Sequence, residues 1–243
     1  MTLSRSKRMI VAHRGCSGVA PENTMAAFRL AIADPRISWI ELDVQLSKDG
    51  VPVVIHDYKL RRTTGMNGAV KDYSFEQLSK LDNGSWFSPE FHNERIPSLE
   101  QVLKEVRGCI HLNIELKTKD DLYPGLEQAV IELVKAYSME AEVVITSFDA
   151  QALKIAKRLA PSIRTGLIIS IVPITISEQL RMLGADLLSV DYRIVEPAFV
   201  DLMLQSGFDV MVWTVNEQEA IERMVSRHPT IWICTNYPER AFL

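Results

Sequence analysis

The chain has 243 residues, 47% of them hydrophobic and 24% charged, with a net charge of −4. That balance supports a large buried core, excludes disordered and fibrous classes, and offers no basic excess for nucleic acid. Cys16, Cys109 and Cys234 are scattered with no C-x-x-C pair, which argues against a disulfide framework or structural zinc and for buried reduced thiols. In chain order, the first apolar run, "MIVAH" (9–13), breaks at His13-Arg14. It is too short for a signal peptide, and no later run reaches the ~18 apolar residues of a membrane span. The expectation is a cytoplasmic protein with no membrane insertion.

Seven further runs read as strands: "SWIELD" (38–43), "CIHLNIEL" (109–116), "EVVITSF" (142–148), "RTGLIIS" (164–170), "DLLSVDY" (186–192), "DVMVWTV" (209–215) and "TIWICTN" (230–236). They are rich in Val and Ile and lack strict alternation, as strands covered on both faces do. Helical patterns separate them: 23–33 with Asn23 as a cap, 98–107 with a Ser98–Gln101 capping box, 124–137, 149–160, 175–184, 196–207 and 216–227. Eight strands with a helix after each of the first seven is the (β/α)₈ count. An open doubly wound sheet is the other solution, but no G-x-G-x-x-G follows the first strand. "VPVVIH" (51–56) follows strand two after only a short linker. A parallel crossover needs about a dozen residues, so Asp49-Gly50 must turn the chain back as a hairpin. The reading is one domain over 1–243 with an excursion at about 44–97, holding a short helix at 74–81, on the barrel's C-terminal face.

Active sites of such barrels form at the C-terminal strand ends. His13-Arg14-Gly15 end strand one, Glu41 and Asp43 strand two, Glu115 and Lys117 strand three, and Trp213 and Asn216 strand seven. The hairpin sets position 56 nearly opposite 41, returning His56 to this rim. Glu41 and Asp43 share one side of a strand by its period of two. With Glu115 they offer oxygen ligands for hard Mg²⁺ or Ca²⁺; a salt-bridge network with Arg14 and Lys117 is the alternative. His13 and His56 share the rim and suit a proton donor–acceptor pair, whereas His92, His111 and His228 have no such company. Arg14 and Lys117 are counter-ions or an anion pocket for a phosphoryl group. Trp213 is core or a cleft wall.

Taken together, "HRG" (13–15), "PENT" (21–24), "ELDVQLSKDGVPVVIHD" (41–57), "IPSLEQVL" (96–103), "NIELK" (113–117), "SF" (147–148), "WTVN" (213–216) and "TNYP" (235–238) resemble the glycerophosphodiester phosphodiesterase family. The resemblance implies a TIM barrel of the phospholipase-C-like phosphodiesterase type, with a segment inserted after strand two. It implies a divalent metal, Mg²⁺ or Ca²⁺, on Glu41, Asp43 and Glu115. It implies His13 and His56 as the acid–base pair, Arg14 and Lys117 on the phosphate, and a small-molecule glycerophosphodiester substrate yielding glycerol 3-phosphate and an alcohol. One departure stands near the end: many members carry "DG" before the last strand and often "TD" after it, where this chain has "HPTIWICTNYP". The rival functions are phospholipase-D-like action on lysophospholipid and a non-catalytic phosphodiester-binding barrel. A sugar-phosphate isomerase would need Gly-rich loops after strands seven and eight, and "WTVNEQE" and "TNYPER" contain no glycine.

Overall fold

The computed structural model describes residues 8–243. Its strands are β1 (Met9–His13), β2 (Trp39–Leu46), β3 (Pro52–Val54), β4 (His111–Leu116), β5 (Val143–Ser147), β6 (Arg164–Ile169), β7 (Leu187–Asp191), β8 (Asp209–Trp213) and β9 (Trp232–Thr235). All but β3 are parallel neighbours in the order β1-β9-β8-β7-β6-β5-β4-β2. Pairing of β1 with β2 closes the ring, so the eight-stranded barrel is the solution adopted and the open sheet is not. Between the strands run α1 (Met25–Ala33), α2 (Leu99–Val106), α3 (Leu126–Ala136), α4 (Ala150–Leu159), α5 (Ile176–Leu183), α6 (Pro197–Gln205) and α7 (Gln218–Arg227). No helix of the described residues is long and apolar enough to cross a membrane.

The strand period of two sorts side chains between two environments. Even positions of β2 and β4 (Ile40, Leu42, Leu112, Ile114) join Phe28 and Leu103 in a core cluster with residues of the surrounding helices. Odd positions of these two strands face the barrel interior, where Trp39 joins Val11, Val144, Leu187, Met211, Trp232 and Cys234 of other strands in a second cluster. Glu41, Asp43, Asn113 and Glu115 fall in this odd set. The alternation that packs Trp39 low in the barrel therefore aims the carboxylates into its C-terminal mouth.

The excursion begins later than expected. Val44, Gln45 and Leu46 remain in β2 because they pair antiparallel with Val54, Val53 and Pro52 of β3, and Val44 still pairs with Leu116. The turn between uses Gly50 at φ +80°, and Ser47 Oγ holds Asp49 Oδ1 at 2.6 Å. Val53, Ile55, Leu60, Val70, Leu78 and Ile96 form a small core of their own, and the short helix over 74–81 is observed as Phe75–Leu78 with a Ser74 cap. Ser98 and Gln101 make the expected capping box on α2. At α1 the cap is Thr24, not Asn23: Thr24 Oγ1 accepts from the Ala27 N–H, while Asn23 adopts φ +56° and turns its amide elsewhere. Cys16 and Cys234 are buried free thiols, but Cys109 is exposed, because it stands in the turn between α2 and β4 rather than in the strand.

Ile40 is fully buried between barrel and helices. Ile40→Ala is expected to lower unfolding stability by about 2–5 kcal/mol, read from urea denaturation; a loss below about 1 kcal/mol would show that this layer collapses around the cavity.

Candidate active site

The first strand end is shaped by two successive left-handed residues, Arg14 at φ +55° and Gly15 at φ +79°. A Cβ on Gly15 would lie 2.7 Å from the backbone carbon of Ala27, so the close approach of this turn to α1 requires glycine. The turn directs the Arg14 N–H to Glu41 Oε2 at 3.0 Å. Its guanidinium spans two acids, with Nη1 donating to Glu22 Oε1 at 2.9 Å and Nε 3.2 Å from Asp43 Oδ2.

Register brings the acids together, since Asp43 of β2 stands beside Glu115 of β4. One oxygen from each of Glu41, Asp43 and Glu115 lies within 4.8 Å of the others, and all three residues are buried. Lys117 Nζ sits 2.9 Å from Glu115 Oε1 and 3.7 Å from Asp43 Oδ1, so both cations are paired with the acid cluster. Asn23 Nδ2 donates to Asp43 Oδ2 at 2.9 Å. Burial works against the charge on each acid, with unequal results. Burial and the charges of Asp43 and Glu115 push Glu41 well up, and burial with Asp43 lifts Glu115 to about 7. For Asp43 burial is outweighed by Arg14, Lys117 and His56, which hold it below the usual carboxylate range.

His13 and His56 face one cavity of about 160 Å³, also lined by Arg14, Glu41, Glu115, Lys117, Phe148 and Trp213. Both are held by Nδ1. His13 Nδ1 lies 2.6 Å from Asn236 Oδ1, and His56 Nδ1 lies 2.7 Å from Asp57 Oδ1. Both partners are oxygen acceptors, so each Nδ1 carries the proton and each Nε2 is left for the cavity. His13 Nε2 is 3.9 Å from Glu41 Oε2. Burial and the neighbouring Arg14 bring His13 down to about 4; burial, with Arg14 and Lys117, also lowers His56.

His13, Arg14, Glu41, His56, Glu115, Lys117 and Trp213 border this cavity and Asp43 belongs to the acid cluster, whereas Gly15 and Asn216 stand at the strand ends without lining it. The hairpin register differs by one from expectation: Val44 faces Val54, which projects Glu41 towards 57 rather than 56. The last bond in this register runs from Ile55 N–H to Asp43 O at 2.9 Å, and the chain then turns. Gln45 holds that turn, its Nε2 lying 2.9–3.0 Å from the carbonyls of Ile55, His56 and Asp57 while Tyr123 OH donates to its Oε1 at 2.7 Å. Trp213 is half-buried on the cavity wall, edge-on to Phe148 at 6.0 Å, and its Nε1–H has no acceptor among the described residues. His111 stacks on Trp39 at the strand's beginning, away from the rim.

Sequence reading assigned no role to Glu22, Asp57 or Asn236 and read Asn23 only as a helix cap, yet each holds a site residue. Their signal lay in "PENT", "HD" and "TNYP", short polar runs beside strand ends. The "TN" departure falls on His13's own partner, which is therefore a neutral amide. Asn216 Oδ1 positions it by accepting the Asn236 N–H at 3.0 Å.

A carboxyl whose folded pKa is raised contributes stability below its unfolded pKa and loses it as pH rises through the folded one. Glu41→Gln keeps an acceptor for the Arg14 N–H and removes that loss. Without divalent metal, the variant is expected to have a higher urea midpoint than the parent at about pH 8, with the gap closing towards about pH 5. A gap independent of pH would count against a strained acid cluster.

Compared with known proteins, the Glycerophosphoryl diester phosphodiesterase family matches residues 13–240. A glycerophosphodiester phosphodiesterase of Caldanaerobacter subterraneus subsp. tengcongensis is 39% identical over 90% of this chain and 90% of its own. A putative glycerophosphodiester phosphodiesterase of Bacillus subtilis is 38% identical over 95% of each chain. Among solved structures, an Oleispira antarctica phosphodiesterase in complex with the product sn-glycerol-3-phosphate superposes with a TM-score of 0.91, at 32% identity over 96% of this chain and 95% of that one. The chain belongs to the glycerophosphoryl diester phosphodiesterase family and with it to the phosphodiester hydrolases.

Proposed function

We propose that the chain hydrolyses glycerophosphodiesters to glycerol 3-phosphate and an alcohol, with His13 and His56 as the acid–base pair. The observation that carries this reading is the convergence of two Nδ1-held histidines and three buried carboxylates on one small cavity. The sn-glycerol-3-phosphate bound as product by the Oleispira antarctica relative supports the same substrate class.

The donor set fits a hard divalent cation, since Glu41, Asp43 and Glu115 offer only oxygens and are too crowded for all three to ionise comfortably without further positive charge. Mg²⁺ or Ca²⁺ bound there would supply Lewis-acid charge stabilisation for a phosphoryl oxygen. The chain's own residues do the rest. Arg14 and Lys117 neutralise the non-bridging phosphate oxygens. One histidine takes the proton of the nucleophile, either water or the substrate's own glycerol 2-hydroxyl. The other, in its imidazolium form with a second proton on Nε2, gives that proton to the departing alkoxide. Attack by the 2-hydroxyl forms a cyclic phosphate and gains from intramolecular proximity; the histidines then exchange roles as water opens the ring. Trp213, with its free Nε1–H, lines the substrate cleft. A neighbouring cleft of about 470 Å³, bordered by Tyr58, Thr118 and Asp149, shares Glu115, Lys117 and Phe148 with the inner cavity and gives the leaving alcohol its place.

Exposed Ile171 and Ile174, on the loop after β6, and exposed Phe148 favour a second substrate class, lysophospholipid cleaved in the manner of phospholipase D. Choline release from lysophosphatidylcholine, set against glycerol 3-phosphate release from glycerophosphocholine, separates the two; faster choline release would displace the first reading.

His13→Ala and His56→Ala are each expected to lower kcat by about 10²–10⁴-fold while the fold is retained, measured as glycerol 3-phosphate formed with Mg²⁺ or Ca²⁺ present. Activity near the parent's in both variants would sink the acid–base pair. EDTA is expected to abolish turnover and added divalent metal to restore it; full activity of metal-free protein would refute the metal assignment.

A further inference from the structure

Arg62 belongs to the excursion, in a four-residue helical turn (Arg61–Thr64) closed by Gly65 in the left-handed region at φ +72°. Its guanidinium is used on both sides. Nε donates to Asp57 Oδ2 at 2.6 Å and Nη2 to Asp57 Oδ1 at 3.0 Å. Nη1 donates to Glu22 Oε2 at 2.9 Å and Nη2 to Glu22 Oε1 at 2.6 Å. The indole of Trp86 lies against it, 5.5 Å from guanidinium carbon to ring centroid.

Each of these carboxylates also holds a residue of the site. Asp57 Oδ1 takes the His56 Nδ1–H, and Glu22 Oε1 takes Arg14 Nη1. The contacts form an unbroken chain of alternating partners, His56–Asp57–Arg62–Glu22–Arg14. We propose that Arg62 is a positioning residue that fixes the His56 ring and the Arg14 guanidinium relative to each other, tying the excursion's half of the site to the barrel's half.

The two histidines differ in why they need such a tie. His13 stands at the end of a barrel strand, with a partner organised by Asn216. His56 follows the three-residue strand β3, and Gln45 holds its backbone carbonyl without fixing its ring. Ring orientation rests on Asp57, and Asp57 is braced from outside by Arg62. A lone exposed Arg–carboxylate pair contributes little, but a fork that is bidentate to two carboxylates fixes geometry as well as charge. Lysine, a point charge on a flexible stem, cannot reproduce that fork.

This assignment rests on the proposed acid–base role of His56, so its test includes a readout that needs no turnover. Arg62→Ala is expected to lower kcat for glycerophosphocholine hydrolysis by about 10- to 100-fold, the penalty of a small misplacement, with Mn²⁺ affinity by calorimetry unchanged. Arg62→Lys is expected to stay within about threefold of Arg62→Ala, and free guanidinium ion to restore part of the alanine variant's kcat. Combined with Asp57→Asn, the loss is expected to match the larger single loss rather than the product of the two. In ¹⁵N-histidine NMR at fixed alkaline pH, His56 is expected to be the Nδ1–H tautomer in the parent and a tautomer mixture in Arg62→Ala. If the alanine variant does not fold, Arg62→Gln is read by the same measurements. A kcat within about twofold of the parent, or multiplying losses with Asp57→Asn, would overturn the proposal. A parent inactive on every glycerophosphodiester would defeat the functional reading instead, and an unchanged His56 tautomer would then still overturn the role of Arg62.

Discussion

Three carboxylates crowded into the mouth of a barrel are the constraint on which the rest of this structure depends. One oxygen from each of Glu41, Asp43 and Glu115 fits within 4.8 Å of the others, under cover of the protein. Like charges so close and so poorly solvated cannot all be held without positive charge nearby. Arg14 and Lys117 answer part of that demand. What remains shows as the upward shift of Glu41 and Glu115, while Asp43, touched by both cations, keeps its charge. The acid cluster proposed to hold a cation is therefore also a local sacrifice of stability, of the kind functional sites commonly carry.

Barrel geometry makes this crowding possible without irregular backbone in the strands. Parallel register sets Asp43 beside Glu115, and the period of two keeps Glu41 and Asp43 on one face. The unusual backbone is displaced to the loop after β1, where Arg14 and Gly15 both take left-handed conformations. That turn places one residue's N–H on Glu41 and its guanidinium on Asp43 and Glu22. Arg14 is thus at once a counter-ion and the neighbour of His13, and its charge helps keep that imidazole neutral.

Most of this frame was legible in the sequence. Buried parallel strands advertise themselves by apolar runs without alternation, and the short linker after strand two could only be a turn. Residues at strand ends were legible for the same reason, since strand boundaries point to the mouth. The less legible parts are those decided by one residue of register or by side chains meeting across long separations. Asn23 and Thr24 are both good caps by type; only the three-dimensional position of Asp43 diverts Asn23 to it. The hairpin register was off by one because the turn chemistry fixes where the chain reverses but not where the ladder stops. Cys109 read as a strand residue and proved to be turn, as element ends often do. Glu22, Asp57 and Asn236 stood inside motifs that carried the resemblance but received no role of their own, since nothing in a linear sequence marks a carboxylate at 22 as the link between arginines at 14 and 62.

The two histidines, finally, are supported by different kinds of structure, and the difference has a physical meaning. His13 is braced by a neutral amide within the barrel frame, from a loop that follows β9. His56 is braced by a carboxylate within the excursion, whose small core is separate from the barrel's own clusters. A carboxylate partner favours the imidazolium in a way an amide oxygen does not, so the two rings enter any proton exchange on unequal terms. The excursion is consequently more than an insertion tolerated at the rim. It brings the histidine with the anionic partner, and the network from Asp57 to Glu22 through Arg62 makes the barrel feel where that histidine stands. Loosening the excursion would first change the relation between the two histidines, before it disturbed the carboxylates, which stand on the barrel strands.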